Sequence, residues 1–395
     1  MEINCYYNPV KTVEGSGSLG RLAELAGEAV PAGCAPRVLL LTWSETMGKL
    51  PEIEALRDAV GAGAFRMERF CASNPTVDQL YTLYEKTRTF APNLIVAVGG
   101  GSVMDVGKTL CLLTGMDIAS EEALRSIIVD KRYQTPTVRW IGVPTTAGTG
   151  SEVTCWATIW DPEQEAKRSV ESRKNYAYAA VVDARLSSGM PLQLAVSSAL
   201  DAAAHGMESY WAKAANLVSS AFALEGIRRI MGNIDALLAG EETAHEAMAQ
   251  GSMLTGLAFS NTKTTACHSI SYPLTMEYQI PHGAAVSLLM GPVLCLNWEL
   301  IPQLKPLLDA LGIKRPEELS GRIRRILKAA GIPSSLEAWG VPEEALPKLA
   351  SLGMTKGRAD NNPAPLTQEV ILGLLRQSYG KREEEAGQAV KKDAV

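Results

Sequence analysis

The chain has 395 residues, 46% of them hydrophobic and 21% charged, with a formal net charge of −5. That length predicts two domains rather than one core, and the acidic balance excludes a general nucleic-acid binder, which carries a basic face. No apolar run reaches the roughly eighteen residues a membrane helix needs, and the start, MEINCYYNPV, is unlike a signal peptide, so no membrane partner and a cytoplasmic location are expected. The seven cysteines are scattered, with no C-x-x-C pair, and suggest neither a zinc knuckle nor a disulfide scaffold.

In chain order, RVLLLT (37–42), NLIVAVGG (93–100), VRWIGVPTT (138–146) and AAVVDA (179–184) read as buried strands. TVDQLYTLYEKTRTF (76–90) and SVMDVGKTLCLL (102–113) lie between them with helical patterns, so a mostly parallel sheet covered on both faces is predicted. From LQLAVSSALDAAAHGMESYWAKAAN onward the patterns are helical, punctuated by Gly and Pro. This places an α/β domain over 1–186 and an all-helical domain over 187–395, with a charged tail from about 381 that is expected to fray. The basic run Arg322, Arg324, Arg325 and Lys328 reads as an exposed helix face.

Gly99, Gly100 and Gly101 separate a strand from a helix that begins near Ser102. Bare backbone N–H groups and a helix N-terminus then converge, as a pyrophosphate requires. The loop VPTTAGTGSEVT (143–154) follows a second strand and supplies small hydroxyl side chains. Loops after neighbouring parallel strands share one end of the sheet, where ligands bind, so a dinucleotide is predicted. After the first strand come Trp43 and Ser44, with Glu45 only a residue later. Without an immediate carboxylate for the ribose hydroxyls, NADPH is permitted and favoured over NADH.

Only four histidines occur, and three fall into one pattern with a carboxylate. Asp201 and His205 are four apart on one helical face, His268 opens a later helix, and His282 precedes Gly283 at a helix start. One oxygen and three nitrogens suit Fe(II), or Zn(II) in its place, with positions left open for a substrate oxygen. Each histidine alone reads as a satisfied core residue; three together read as ligands. His245, among acidic residues, reads as inert.

GGGSVMDVGK, PTTAGTGSEVT, DAAAHGMES and HSISYPLTMEYQIPHG, in this order, resemble the iron-containing (group III) alcohol dehydrogenase family over nearly the whole chain. The resemblance implies a Rossmann-like α/β N-terminal domain, an all-α C-terminal domain as in dehydroquinate synthase-like enzymes, an active site in the cleft between them, and a homodimer. It implies Asp201, His205, His268 and His282 as metal ligands, and Asn74, Gly100, Gly101, Ser102, Thr145, Thr146 and Thr149 at the cofactor. Trp43 is placed beside the cofactor as well, and Lys167 toward the nicotinamide ribose. Many members carry a histidine four residues after the third ligand, as a proton relay; this chain has Tyr272, a candidate proton donor or a wall of the substrate pocket.

YYNPVK, NTKTTACHSISYPLT and RADNNPAPLT are similar to the phosphonoacetaldehyde reductase branch, which implies reduction of that anionic aldehyde to 2-hydroxyethylphosphonate in phosphonate biosynthesis. Lys263, Thr264 and Arg358 would hold the phosphonate, although Lys263 and Arg358 read equally well as solvated charges. The alternatives are a reductase of uncharged aldehydes of the lactaldehyde or butanol type, and a dehydroquinate synthase-like lyase.

Overall fold

The computed structural model describes residues 5–164, 166–355 and 357–380; the tail expected to fray lies outside them. The described residues form two compact units, Tyr7–Met190 and a helical unit that runs from Pro191 and includes Cys5 and Tyr6.

The first unit holds eight strands: β1 (Lys11–Glu14), β2 (Val38–Thr42), β3 (Phe65–Arg69), β4 (Leu94–Gly99), β5 (Arg139–Pro144), β6 (Trp156–Asp161), β7 (Ala166–Glu171) and β8 (Ala179–Val182). Six form one parallel sheet in the order β1-β8-β5-β4-β2-β3, and β6 pairs antiparallel with β7. Side chains alternate across a strand, so both faces of a doubly covered sheet must be apolar. Accordingly Leu39, Leu41, Ile95 and Ala97 enter one core, while Val38, Leu40, Leu94, Val96 and Val98 enter the other. The chain winds outward from β2 to β3 and then returns to the other flank of β2 as β4, so the topological switch lies between β2 and β4.

The two units divide between Met190 and Pro191, four residues past the expected 186. The reason is a run of turns, Leu186 N to Asp183 O, Ser187 N to Ala184 O and Met190 N to Ser187 O, that continues from the end of β8. Tyr6 joins the helical unit through its hydroxyl, which donates to Leu257 O at 3.1 Å.

In the helical unit the long helices Leu192–Trp211, Leu217–Leu238 and Glu242–Thr262 pack closely. The last two approach through Gly226 and Gly251: a Cβ on Gly226 would stand 2.9 Å from the Gly251 carbonyl. Helix Ala266–Tyr278 and helix His282–Asn297 follow. The segment His282–Leu300 is long and apolar enough to cross a membrane by length and composition, but it is mostly buried inside the fold. In helix Glu318–Ala329, Arg322 departs from an exposed face. Its guanidinium is turned to the carbonyls of Leu311, Gly312 and Met231.

Candidate metal centre and dinucleotide loops

The segments after the carboxyl ends of β2, β3, β4 and β5 carry most of the predicted dinucleotide residues. Gly100 caps helix Gly101–Leu113, and a Cβ on Gly101 would come within 3.1 Å of the Thr149 side chain, so the loop after β5 lies directly against the glycine turn. Thr145 N donates to Gly99 O at 3.0 Å, and Thr146 borders Gly100. Asn74, at φ 56°, donates its backbone N–H to Ser102 Oγ at 3.2 Å. The structure therefore brings Asn74, Gly100, Gly101, Ser102, Thr145, Thr146 and Thr149 together. Trp43 follows β2, half-exposed, with its carbonyl accepting from Cys71 Sγ. Lys167 lies on β7 opposite Trp160, its ammonium 5.4 Å from that ring.

Sequence reasoning missed what fixes the second loop. Lys108 is fully buried, and its ammonium donates to Ser151 Oγ (2.7 Å), Thr154 Oγ1 (2.9 Å) and Trp156 O (2.9 Å). Burial pulls it down to about 8 against the opposing pull of Asp105. Asp105 in turn accepts from Ser151 Oγ and Thr158 N. The glycine-turn helix and the Thr-rich loop are thus locked through the buried Lys108 ammonium and its partner Asp105.

In the helical unit, ligand atoms of Asp201, His205 and His268 lie within 4.8 Å of one another, and all three residues are buried. His282 joins them, with Nε2 3.9 Å from Asp201 Oδ1. Local structure explains the convergence. Asp201 and His205 share a face of helix Leu192–Trp211, and His282 is the first residue of its own helix, after Pro281. That helix can press on the Asp201 helix because residue 283 is glycine; a Cβ there would lie 2.2 Å from Ser197 O. The His205 ring is sandwiched in a stacked run, 4.2 Å from Phe259 and 4.3 Å from His268.

Glu208, three residues beyond His205 and unassigned from sequence, organises His268. Its Oε1 accepts from Thr265 Oγ1 (2.9 Å) and Cys267 N (2.6 Å), and its Oε2 accepts from His268 Nδ1. An imidazole that donates through Nδ1 presents Nε2 as a bare lone pair. That Nε2 faces Asp201 Oδ1 at 3.3 Å, outside hydrogen-bonding geometry; both atoms are buried and neither has a hydrogen-bond partner. With the imidazole neutral, two buried lone pairs are set against each other and call for a proton or a metal cation between them, and a carboxylate–imidazole donor set fits a divalent transition ion. Burial alone would push the His268 imidazole down, but the Glu208 and Asp201 carboxylates carry it up to about 9. Burial likewise raises the Asp201 carboxyl, and the three surrounding imidazoles overcome this and hold it well below the usual carboxylate range.

Beside the cluster, the Tyr272 ring stacks on His282 (centroids 5.8 Å, 6° between planes), and the Arg358 guanidinium lies 5.0 Å over the Tyr272 ring. Arg358 Nε donates to the buried Thr264 Oγ1 at 3.1 Å. Burial raises the Tyr272 hydroxyl above its ordinary value, with Arg358 opposing. Lys263 caps the preceding helix, with its side chain exposed.

A parallel dinucleotide-type sheet and a helical unit carrying a carboxylate–histidine cluster that could hold a metal fit a metal-dependent oxidoreductase. The chain belongs to the iron-containing alcohol dehydrogenase family, which matches residues 9–184, with the family's C-terminal part matching 195–379. It is therefore an NAD(P)-dependent oxidoreductase acting on CH–OH groups. It is similar to the sulfoacetaldehyde reductase of Bilophila wadsworthia, with 27% identity over 95% of this chain and 98% of that one. It is 32% identical to the 1,3-propanediol dehydrogenase of Citrobacter freundii, over 73% of this chain and 76% of the relative. Among solved structures, an iron-containing alcohol dehydrogenase of Thermotoga maritima superposes with a TM-score of 0.82 at 26% identity, covering 96% of this chain and all of the other. Sulfoacetaldehyde reductase of Bifidobacterium kashiwanohense, in complex with NAD+, shares the fold with a TM-score of 0.86 at 24% identity, over 96% of this chain and 100% of that one.

Proposed function

We propose that this enzyme reduces a small anionic aldehyde, phosphonoacetaldehyde, to 2-hydroxyethylphosphonate, with NADPH in preference to NADH and Fe(II) as the resident metal. The observation that carries this reading is the guanidinium of Arg358, tied to Thr264 and stacked on Tyr272, whose ring in turn lies on His282. A fixed cation one ring away from a metal-ligand candidate suits a substrate with an anionic group close to its carbonyl. Similarity to a sulfoacetaldehyde reductase, which acts on another two-carbon aldehyde bearing an anionic head, supports the same substrate class.

Asp201, His205, His268 and His282 would hold the metal, which would polarise the aldehyde oxygen, and the reduced nicotinamide would supply hydride. The chain's own residues place the reactants. Glu208 holds the Nδ1 proton of His268 and so keeps Nε2 open as a ligand. Arg358 and Thr264 bind the anionic group and set the distance of the carbonyl from it. Tyr272 keeps its phenolic proton through neutral pH because burial raises it, so it orients by hydrogen bonding and packing. The proton that completes the alcohol comes from the Tyr272 hydroxyl or from solvent.

The test is NADPH oxidation by the Fe(II)-loaded enzyme with phosphonoacetaldehyde, sulfoacetaldehyde and propionaldehyde at equal concentration. The expected kcat/KM for phosphonoacetaldehyde exceeds that for propionaldehyde by about tenfold or more, as one charge-assisted contact allows, and Arg358→Ala removes the difference. Preference for sulfoacetaldehyde would keep the charge class and replace the head group. Equal turnover of propionaldehyde would overturn the reading in favour of an uncharged substrate, as the 1,3-propanediol dehydrogenase relatives suggest.

A further inference from the structure

Lys263 ends helix Glu242–Thr262 with φ 61° and ψ −179°. This region of backbone space is essentially reserved for glycine, because a Cβ collides with the neighbouring peptide groups. Other non-glycine residues at positive φ are milder cases. Gln279 (φ 56°, ψ 25°) and Ala91 (φ 47°, ψ 62°) take the ordinary left-handed helical conformation that closes many helices. Glycine would close the turn at Lys263 without strain, so the lysine destabilises the fold for no gain in backbone structure. Its side chain has to supply the gain.

The surroundings hold the turn in place. Lys263 N donates to Phe259 O at 2.8 Å, and Thr262 Oγ1 lies 3.0 Å from the Lys263 carbonyl as its donor. The Asn361 amide donates to the carbonyls on both sides of Lys263, Thr262 O at 2.8 Å and Thr264 O at 3.2 Å. The next hydroxyl, Thr264 Oγ1, accepts from Arg358 Nε. Lys263 and Arg358 therefore stand on a single frame: the strained turn carries one, and the segment Arg358–Asn361 carries the other and clamps the turn.

We propose that the strained backbone at Lys263 is retained because it delivers the lysine ammonium to the anionic group of the substrate, making Lys263 a specificity-determining residue and Asn361 the positioning residue that holds it. This rests on the anionic-aldehyde reading above. A phosphonate presents up to three acceptor oxygens and close to two negative charges. A lone guanidinium leaves part of that charge uncompensated, and an ammonium supplies a second point charge with three donors.

Four variants of the full-length, Fe(II)-loaded enzyme test it: K263G, K263A, K263R and R358A. Three quantities are read: the thermal midpoint, the rise in that midpoint on adding methylphosphonate, and the ratio of kcat/KM for phosphonoacetaldehyde over propionaldehyde. K263A keeps the strain and loses the charge, whereas K263G loses both. K263G is expected to unfold about 2–4 °C above K263A. Both are expected to lose the methylphosphonate shift and at least about tenfold of the ratio, and K263R to keep most of each. Equal midpoints for K263G and K263A would show that the turn stores no strain, and an unchanged ratio in K263A would show that the ammonium does not meet the anion; either result overturns the proposal. If the native ratio is high and falls in R358A but not in K263A, the anionic-substrate reading stands and only the role of Lys263 falls. A native ratio near one with no methylphosphonate shift removes the anionic reading itself, and this inference with it.

Discussion

The Glu208 side chain has no spare hydrogen-bonding capacity on one oxygen. Oε1 accepts from Thr265 Oγ1, Cys267 N and, at 3.4 Å, His268 N, so an amide oxygen in Glu208→Gln must remain there. The new NH2 then faces His268 Nδ1, donor against donor, unless the imidazole changes tautomer and moves its proton to Nε2. In that tautomer Nε2 cannot bind a metal. Glu208→Gln is therefore expected to weaken metal binding about 10–100-fold with the fold retained, read by competition against a chromophoric chelator alongside circular dichroism. Unchanged affinity would mean that Glu208 merely fills space. At this scale the sequence was unevenly legible. Asp201 and His205 announce themselves by their spacing, because four residues on a helix is one face. Glu208 lies in the same motif, three residues on, yet nothing in the chain tells a reader that Thr265 and His268 will arrive opposite it. The backbone strain at Lys263 is invisible for the same reason, since it depends on the Asn361 clamp from a segment almost one hundred residues away.

Elements were legible where burial dictated composition. β2, β4, β5 and β8 are near-continuous apolar runs with almost every residue buried, and the sequence reading found all of them. It missed β1 (KTVE) and β3 (FRMER), the two edges of the sheet, which are charged and at least partly exposed as edges must be to resist pairing with other chains. The missed edge bears on the proposed cofactor preference. Arg69 closes β3 directly opposite Thr42 at the end of β2, and its guanidinium pairs with Glu45 at 3.2 Å, while Lys49 approaches the same carboxylate at 3.9 Å. Glu45 is thus an anion held between two cations beside the β2–β4 switch point, and on the proposed NADPH reading the ribose 2′-phosphate is the anion that would exchange with it. Arg69 is about half exposed, so solvent limits the effect. Arg69→Ala is expected to weaken NADPH binding by roughly five- to tenfold and NADH by less than about twofold, measured by nicotinamide fluorescence titration. Parallel losses for both dinucleotides would assign Arg69 a role in loop shape alone.

At the scale of the whole molecule, the chain divides its chemistry between its two units: the dinucleotide loops belong wholly to the unit Tyr7–Met190 and the metal-ligand cluster wholly to the helical unit. Metal removal should therefore act on the stability of the helical unit, and the pH dependence gives this a sign. In the metal-free protein His268 is held protonated to about pH 9 by Glu208 and Asp201, against an ordinary value of 6.5. A group whose folded value is raised stabilises fully below its unfolded value and loses that contribution as pH climbs through the folded one. The chelated protein should therefore lose thermal stability between about pH 6.5 and 9. In the loaded protein the ion replaces the proton on Nε2, so this titration disappears and the midpoint stays level across the same window. The gap between the two widens with pH, and because binding expels one proton, apparent metal affinity climbs about tenfold per pH unit until His268 is already neutral. Calorimetry with and without EDTA from pH 6 to 9.5 measures both curves. A gap that stays constant with pH would show that His268 is not the protonated member of the metal-free cluster, and the charge balance among Asp201, Glu208 and the imidazoles would have to be reassigned.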